Sequence, residues 1–199
     1  MIANRSHSRV RRVGPRSVES ARSVSLAAQR GVALVEMAIA LPVLLTIMLG
    51  VIDLSRAIQF DNVITHLSRE GANLAARVRS IEPAGIVNAL ASTAAPLRMN
   101  RDGMIYFSEI TGQADGTGQI TRQFRAAQGN HALQSRLWRC TAWQADSSCL
   151  IPASKPAVTL PVPLRPGETV WAVETRYEYR LLTGFVLSLD PDLYAITIM

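Results

Sequence analysis

The longest apolar pattern in the chain runs from residue 32 to residue 52 and is interrupted only by Glu36 and Pro42. At 1.5 Å per residue its 21 positions span about 31 Å, the thickness of a bilayer core. The polar group Asp53, Ser55 and Arg56 closes it. Helical periodicity continues beyond. Leu54, Ala57, Ile58, Ile64, Leu67, Gly71, Leu74 and Val78 recur at steps of three and four, opposite Asp61, Asn62, Arg69, Asn73 and Arg77. The pattern predicts one helix from Gly31 to Arg79, about 70 Å long. No domain of this size covers such a helix, so its first half belongs in lipid or against identical helices.

After Pro83 the pattern predicts a short amphipathic helix over 84–94, stopped by Pro96. Residues 103–110 and 119–125 alternate in strand fashion around Ala114-Asp115-Gly116-Thr117-Gly118, where Asp-Gly signals a hairpin. A proline-rich connector over 151–166 reads as extended. Residues 168–182 read as a half-buried antiparallel strand, its second half alternating charged and aromatic side chains, and 194–198 as a closing strand. A long helix followed by three to five antiparallel strands is an α+β plan, with the amphipathic half of the helix packed on a small sheet.

The formal charge of +6 suggests a nucleic-acid partner until its distribution is read. Residues 1–31 carry seven arginines against the single acid Glu19, and the remaining 14 basic and 14 acidic residues cancel. All the excess therefore lies on one flank of the apolar segment. That asymmetry holds the flank in the cytoplasm and removes the case for nucleic acid. The leader is poor in apolar periodicity, and we expect it to be disordered. The chain thus divides into a basic cytoplasmic leader (1–31), a transmembrane helix (32–52) and an extracytoplasmic domain (53–199).

Cys140 and Cys149 flank a polar loop and form no CxxC pair. In an oxidising compartment they are expected to close a short disulfide loop. His7, His66 and His131 show no metal-ligand spacing, and GxSxG, HExxH and GxGxxG are absent from the sequence. Asp190 and Asp192, on either side of Pro191, read as a solvated turn. No catalytic, cofactor or metal residue is expected, and no small-molecule substrate.

One carboxylate remains to be explained. Glu36 stands five residues past Gly31 at the start of the span, where an acid is costly and rarely idle. Arg30-Gly31 and Glu36, Ala38, Pro42, the exit from Gly50 to Arg56 and the block Ser68-Arg69-Glu70-Gly71-Ala72 together resemble the TadE-like family. Its members are minor pseudopilins of the tight-adherence (Flp-type) pilus, within the type IV filament superfamily. The resemblance covers about residues 30–79. Met37 departs from it, standing where the family usually has an aromatic, and the leader is long for a prepilin. The resemblance implies cleavage between Gly31 and Val32 by a prepilin peptidase, after which Glu36 pairs with the new amine of Val32 on its own or a neighbouring subunit. It assigns assembly roles to Glu36 and Pro42, and family positions to Asp53, Arg56, Arg69, Glu70 and Gly71. It also implies the bacterial inner membrane as location, with the domain beyond the span in the periplasm. The implied partners are other pilins or pseudopilins and the pilus assembly platform. Two rival readings are an uncleaved single-span anchor carrying a binding or enzymatic domain, and a type II secretion pseudopilin.

Overall fold

The computed structural model describes residues 19–77, 83–182, 184 and 191–199, with side chains from Gly31 onward. It divides into two compact units, Met1–Met48 and Leu49–Met199. Helix α1 (Glu19–Arg77) runs through both.

In the first unit the expected leader is described only in part, since residues 1–18 lie outside the described residues. Disorder does not extend over 19–30, because α1 already begins at Glu19. Ala21, Arg22, Leu26, Ala27, Ala28 and Gln29 are good helix formers, and they outweigh the roughly 1 kcal/mol that Gly31 costs inside a helix. Pro42 is likewise accommodated within α1.

The second unit is an α+β fold. Residues 49–77 of α1 are followed by α2 (Pro83–Thr93) and a single turn, α3 (Met99–Asp102). Five strands complete it: β1 (Gly103–Gly112), β2 (Gly118–Arg125), β3 (Ala157–Val158), β4 (Thr169–Glu178) and β5 (Asp192–Ile198). Their order is β3-β2-β1-β4-β5, and every neighbouring pair is antiparallel. The β1–β2 hairpin turns at Asp115-Gly116 as the pattern predicts. Gly116 takes φ +81°, and the Asp115 carboxylate accepts from the backbone N–H and hydroxyl of Thr117. The proline-rich connector is extended only briefly, at β3, whose two residues pair with Gly118 and Gln119.

The sheet is covered on both faces. Ile105, Phe107, Val173 and Tyr177 pack toward the helices against Ile64, Leu67, Val87 and Leu90. The opposite face carries Tyr106, Ser108, Glu174 and Arg176 and is covered by the long loop between β2 and β3. Tyr106 donates to the Leu133 carbonyl at 2.8 Å, and Gln123 donates to Ser108 Oγ and the Trp138 carbonyl. A second apolar cluster, Ile110, Ile120, Val158 and Ala172, lies on this face with Leu137 and Trp138 packed against it.

Cys140 and Cys149 are bonded within that loop, their Cα atoms 6.1 Å apart. Cys149 also donates its N–H to Gln123 of β2 at 2.8 Å, so the loop is tied to the sheet beside the bridge. Closing a loop this short stabilises by about 2–3 kcal/mol through the unfolded chain. Cys140→Ser with Cys149→Ser is expected to lower the thermal midpoint of the full chain in neutral detergent by roughly 4–12 °C. An unchanged midpoint would show that the loop is held by its hydrogen bonds alone.

Two expectations need correction. Leu54 and Ile58 were placed on the buried stripe of α1, yet they are 62% and 54% exposed, and Leu74 is 37% exposed. Ile64, Leu67 and Gly71 of that stripe are buried as expected, and Asp53, Ser68, Ala72 and Ala75 are buried with them. Counting from Asp53 at 3.6 residues per turn, Leu54 and Ile58 lie about 100° and 140° around the helix, although Leu54 shares its angle with the buried Ala72, five turns on. Buried polar residues such as Asp53 and Ser68 do not register as hydrophobic periodicity. The strand predicted over 168–182 also stops early, at Glu178. Tyr179 and Leu182 leave the sheet to bond with α1. Val78 and Arg79, the expected end of the helix, lie outside the described residues, as does Asp190.

Candidate functional site

Within the first unit, Gly31, Val32, Glu36 and Pro42 all lie on α1. A Cβ placed on Gly31 meets no atom within 4 Å. Val32 and Glu36 are four residues apart and share a helix face, one turn from each other. Glu36 is exposed and makes no hydrogen bond or ion pair with any described residue. Pro42 cannot donate a backbone hydrogen bond, and one turn on, the Thr46 hydroxyl donates to the Pro42 carbonyl at 2.8 Å. The most apolar 18-residue window of this helix has a mean hydropathy of 2.4, and none of it is buried. Val32, Leu34, Val35 and Ile39 are each more than 60% exposed. By length and composition this is a candidate membrane span whose apolar surface is left without cover by the described residues.

The remaining family positions are in the second unit and have three different environments. Asp53 is 2% exposed. Its Oδ1 accepts from Leu182 N–H at 2.8 Å and lies 3.4 Å from the Tyr179 hydroxyl, which also donates to the Asp53 carbonyl at 3.2 Å. Burial, with the Asp53 charge beside it, raises the Tyr179 pKa. Asp53 therefore clamps the segment after β4 onto the helix. Asp53→Ala is expected to cost about 1–3 kcal/mol by orphaning these donors. Hydrogen exchange checks this: the Leu182 amide should lose protection before the β1 and β4 amides do, and equal protection in the variant would refute the clamp.

Gly71 lies against the sheet. A Cβ there stands 3.0 Å from Leu90 Cδ1, 3.0 Å from Phe107 Cζ and 3.1 Å from Val173 Cγ1. The absence of a side chain lets α1 approach α2, β1 and β4 together. One turn earlier, Ser68 Oγ meets Thr197 Oγ1 of β5 at 2.9 Å. Arg69 and Glu70 point away from this contact and are exposed, lining a shallow groove with His66, Asn73 and Arg77. Arg56 is half-buried, its guanidinium 5.8 Å from the Phe60 ring centre. The structure thus brings Asp53 and Gly71 onto one buried face, and leaves Arg69 and Glu70 on another.

Sequence reasoning overlooked Glu174. This carboxylate is fully buried and accepts from Arg136 N–H at 2.9 Å, Leu137 N–H at 3.2 Å, Tyr194 O–H at 3.0 Å and the Ser135 hydroxyl. Burial, reinforced by Glu174, pushes the Tyr194 pKa up; burial does the same to Tyr106, to about 12. Beside them Arg176 binds Asp192 and the Gln134 carbonyl, and Arg136 reaches Asp192 at 3.0 Å. Asp192 is therefore an ion-paired residue of β5, not part of a solvated turn. A charged residue within the alternating strand was the only signal, since its partners come from two distant segments.

A family model described as TadE-like protein matches residues 31–73. The matched stretch begins at Gly31 and takes in Glu36, Pro42, Asp53, Arg56 and Gly71. No curated protein and no solved structure matches the chain.

Proposed function

We propose, from the match of residues 31–73 to the TadE-like family model, that the chain is a TadE-like minor pseudopilin of a tight-adherence pilus, matured by cleavage between Gly31 and Val32. The observation that carries this reading is Glu36. It is an exposed acid without a partner among the described residues, one helical turn from the proposed cut, in a helix whose apolar surface is bare. Cleavage removes the basic leader and gives Val32 an ammonium group. Glu36 then pairs with that amine on its own or a neighbouring subunit. Desolvation opposes the Coulomb gain, so the pair sets register more than it adds stability. The role is structural, not enzymatic. The partners are the inner membrane, a prepilin peptidase, other pilins or pseudopilins and the assembly platform, with residues beyond the span in the periplasm.

One observation favours the rival, an uncleaved single-span anchor: α1 is continuous through Gly31. A peptidase that reads extended backbone must first unwind this stretch, and the glycine lowers the cost of doing so. Mass spectrometry of the protein from a host carrying the matching peptidase separates the two. The pseudopilin reading expects an N-terminus at Val32, and an intact N-terminus sinks it. Gly31→Val is expected to accumulate the uncut form. Glu36→Leu is expected to be cut normally yet to abolish piliation, and wild-type piliation in that variant would reduce Glu36 to an acid reaching the headgroups.

A further inference from the structure

In the second unit a cavity of about 500 Å3 opens beside the start of the covered part of α1, rimmed by Arg56, Arg98, Arg101 and Arg180 and by the acids Asp102 and Glu178. Arg101 pairs with Asp102 at 3.1 Å, and Arg180 lies 3.9 Å from Asp102 and 3.8 Å from Glu178. Arg56 and Arg98 have no carboxylate within ion-pair distance among the described residues. Four guanidinium groups against two carboxylates leave a local excess of two positive charges. The chain beyond the leader is neutral, so this is not part of a generally basic surface. Phe60 lies in the same cavity, edge-on to Tyr177 and Tyr179 with ring centres 5.6 and 5.3 Å away. The site is basic at the rim and aromatic within.

Its depth is set by α1. Arg56 follows the apolar run by four residues, a rise of about 6 Å, which equals the thickness of a headgroup layer. Leu182 donates its N–H to Asp53, three residues before Arg56, which ties the segment carrying Arg180 to this part of α1. On another side of the helix, Val51, Leu54 and Ile58 remain 54–62% exposed, so apolar surface continues to the level of Arg56.

We infer that this cavity is a headgroup site taking the phosphodiester of an anionic phospholipid from the outer face of the bilayer. Arg56 and Arg98 bind the phosphate, since guanidinium matches two phosphate oxygens at once. The Phe60 ring, partly exposed where Tyr177 and Tyr179 are buried, receives the glycerol and the first methylenes. The net charge of two suits a singly charged phosphodiester better than a polyanion. The inference rests on residues 32–52 spanning the membrane, and not on cleavage or pilus assembly.

The test uses the full chain in neutral detergent micelles doped with phosphatidylglycerol or phosphatidylcholine, with retained lipid read by native mass spectrometry. The intact chain should retain phosphatidylglycerol in preference. Arg56→Gln with Arg98→Gln should weaken that retention about thirtyfold, the effect of removing two headgroup contacts. Arg98→Gln alone, at an exposed side chain, should weaken it about fivefold even if the double variant does not fold. Arg139→Gln with Arg165→Gln, a charge-matched change elsewhere, should leave it unaltered. Equal loss in that control, or undiminished retention in both pocket variants, overturns the site. Displacement of the lipid by inorganic phosphate or an acidic peptide at comparable concentration overturns the choice of ligand. Alkaline extraction of membranes reports separately on the span: a chain released by it removes the premise, whatever the micelles show.

Discussion

Replacing Glu174 with alanine lowers the thermal midpoint of the full chain in neutral detergent by roughly 10 °C, the effect of losing about 3–5 kcal/mol. The magnitude follows from what is left behind. Two backbone N–H groups, a serine hydroxyl and a tyrosine hydroxyl converge on one fully buried carboxylate, and each donor loses its acceptor. Glu174→Gln preserves the volume and one acceptor oxygen but turns an amide N–H2 toward a donor, so its loss is smaller. Glu174→Leu fills the space and still orphans every donor, and it falls near the alanine variant. Near-ultraviolet circular dichroism with heating gives the three midpoints. A midpoint for Glu174→Ala within error of the unaltered chain would show that water replaces the carboxylate without cost.

The second large effect is at Gly71. Gly71→Leu destabilises on the order of 3 kcal/mol, because even its Cβ falls within 3.1 Å of three side-chain atoms. Phe107 and Val173 are both fully buried and have little room to yield. Gly71→Ala loses much less, since a helix-propensity gain of about 1 kcal/mol opposes the crowding. Gly85 in α2 provides the comparison: a Cβ there meets nothing within 4 Å, so Gly85→Ala should be neutral or stabilising. Denaturant midpoints for the three variants decide this. If Gly71→Leu and Gly85→Ala have the same midpoint, close approach of α1 to the sheet is not what Gly71 provides.

The contrast between these two residues shows what was legible in the sequence. Gly71 was visible because it lies in a compact block, Ser68 to Ala72, on a helix whose periodicity is strong. The hairpin was equally legible, since Asp115-Gly116 carries its turn geometry locally. What failed was part of the helix face. Counting apolar residues selected Ile64, Leu67 and Gly71 correctly but also Leu54 and Ile58, which are exposed, and it missed Asp53 and Ser68, whose burial rests on specific partners. Those partners could not be inferred from spacing. Leu182 meets Asp53 and Thr197 meets Ser68 across 129 residues, and Glu174 gathers its donors from 135–137 and 194. Polar groups that fold inward are located by topology, which local patterns do not encode. At the start of α1 the error had another source: a run of arginine and serine was read as unstructured, although alanine, leucine and glutamine among them suffice for a helix.

Those long separations bear on how the second unit comes into being. Asp53 is synthesised early, but Tyr179 and Leu182, which bond it, follow 126 and 129 residues later. Until they arrive, the Asp53 side chain lacks these donors and the hollow beside Gly71 has neither Phe107 nor Val173 to fill it. The domain therefore matures late, after nearly all of it has been synthesised. During that interval, its apolar helix face is open to holdase chaperones and proteases.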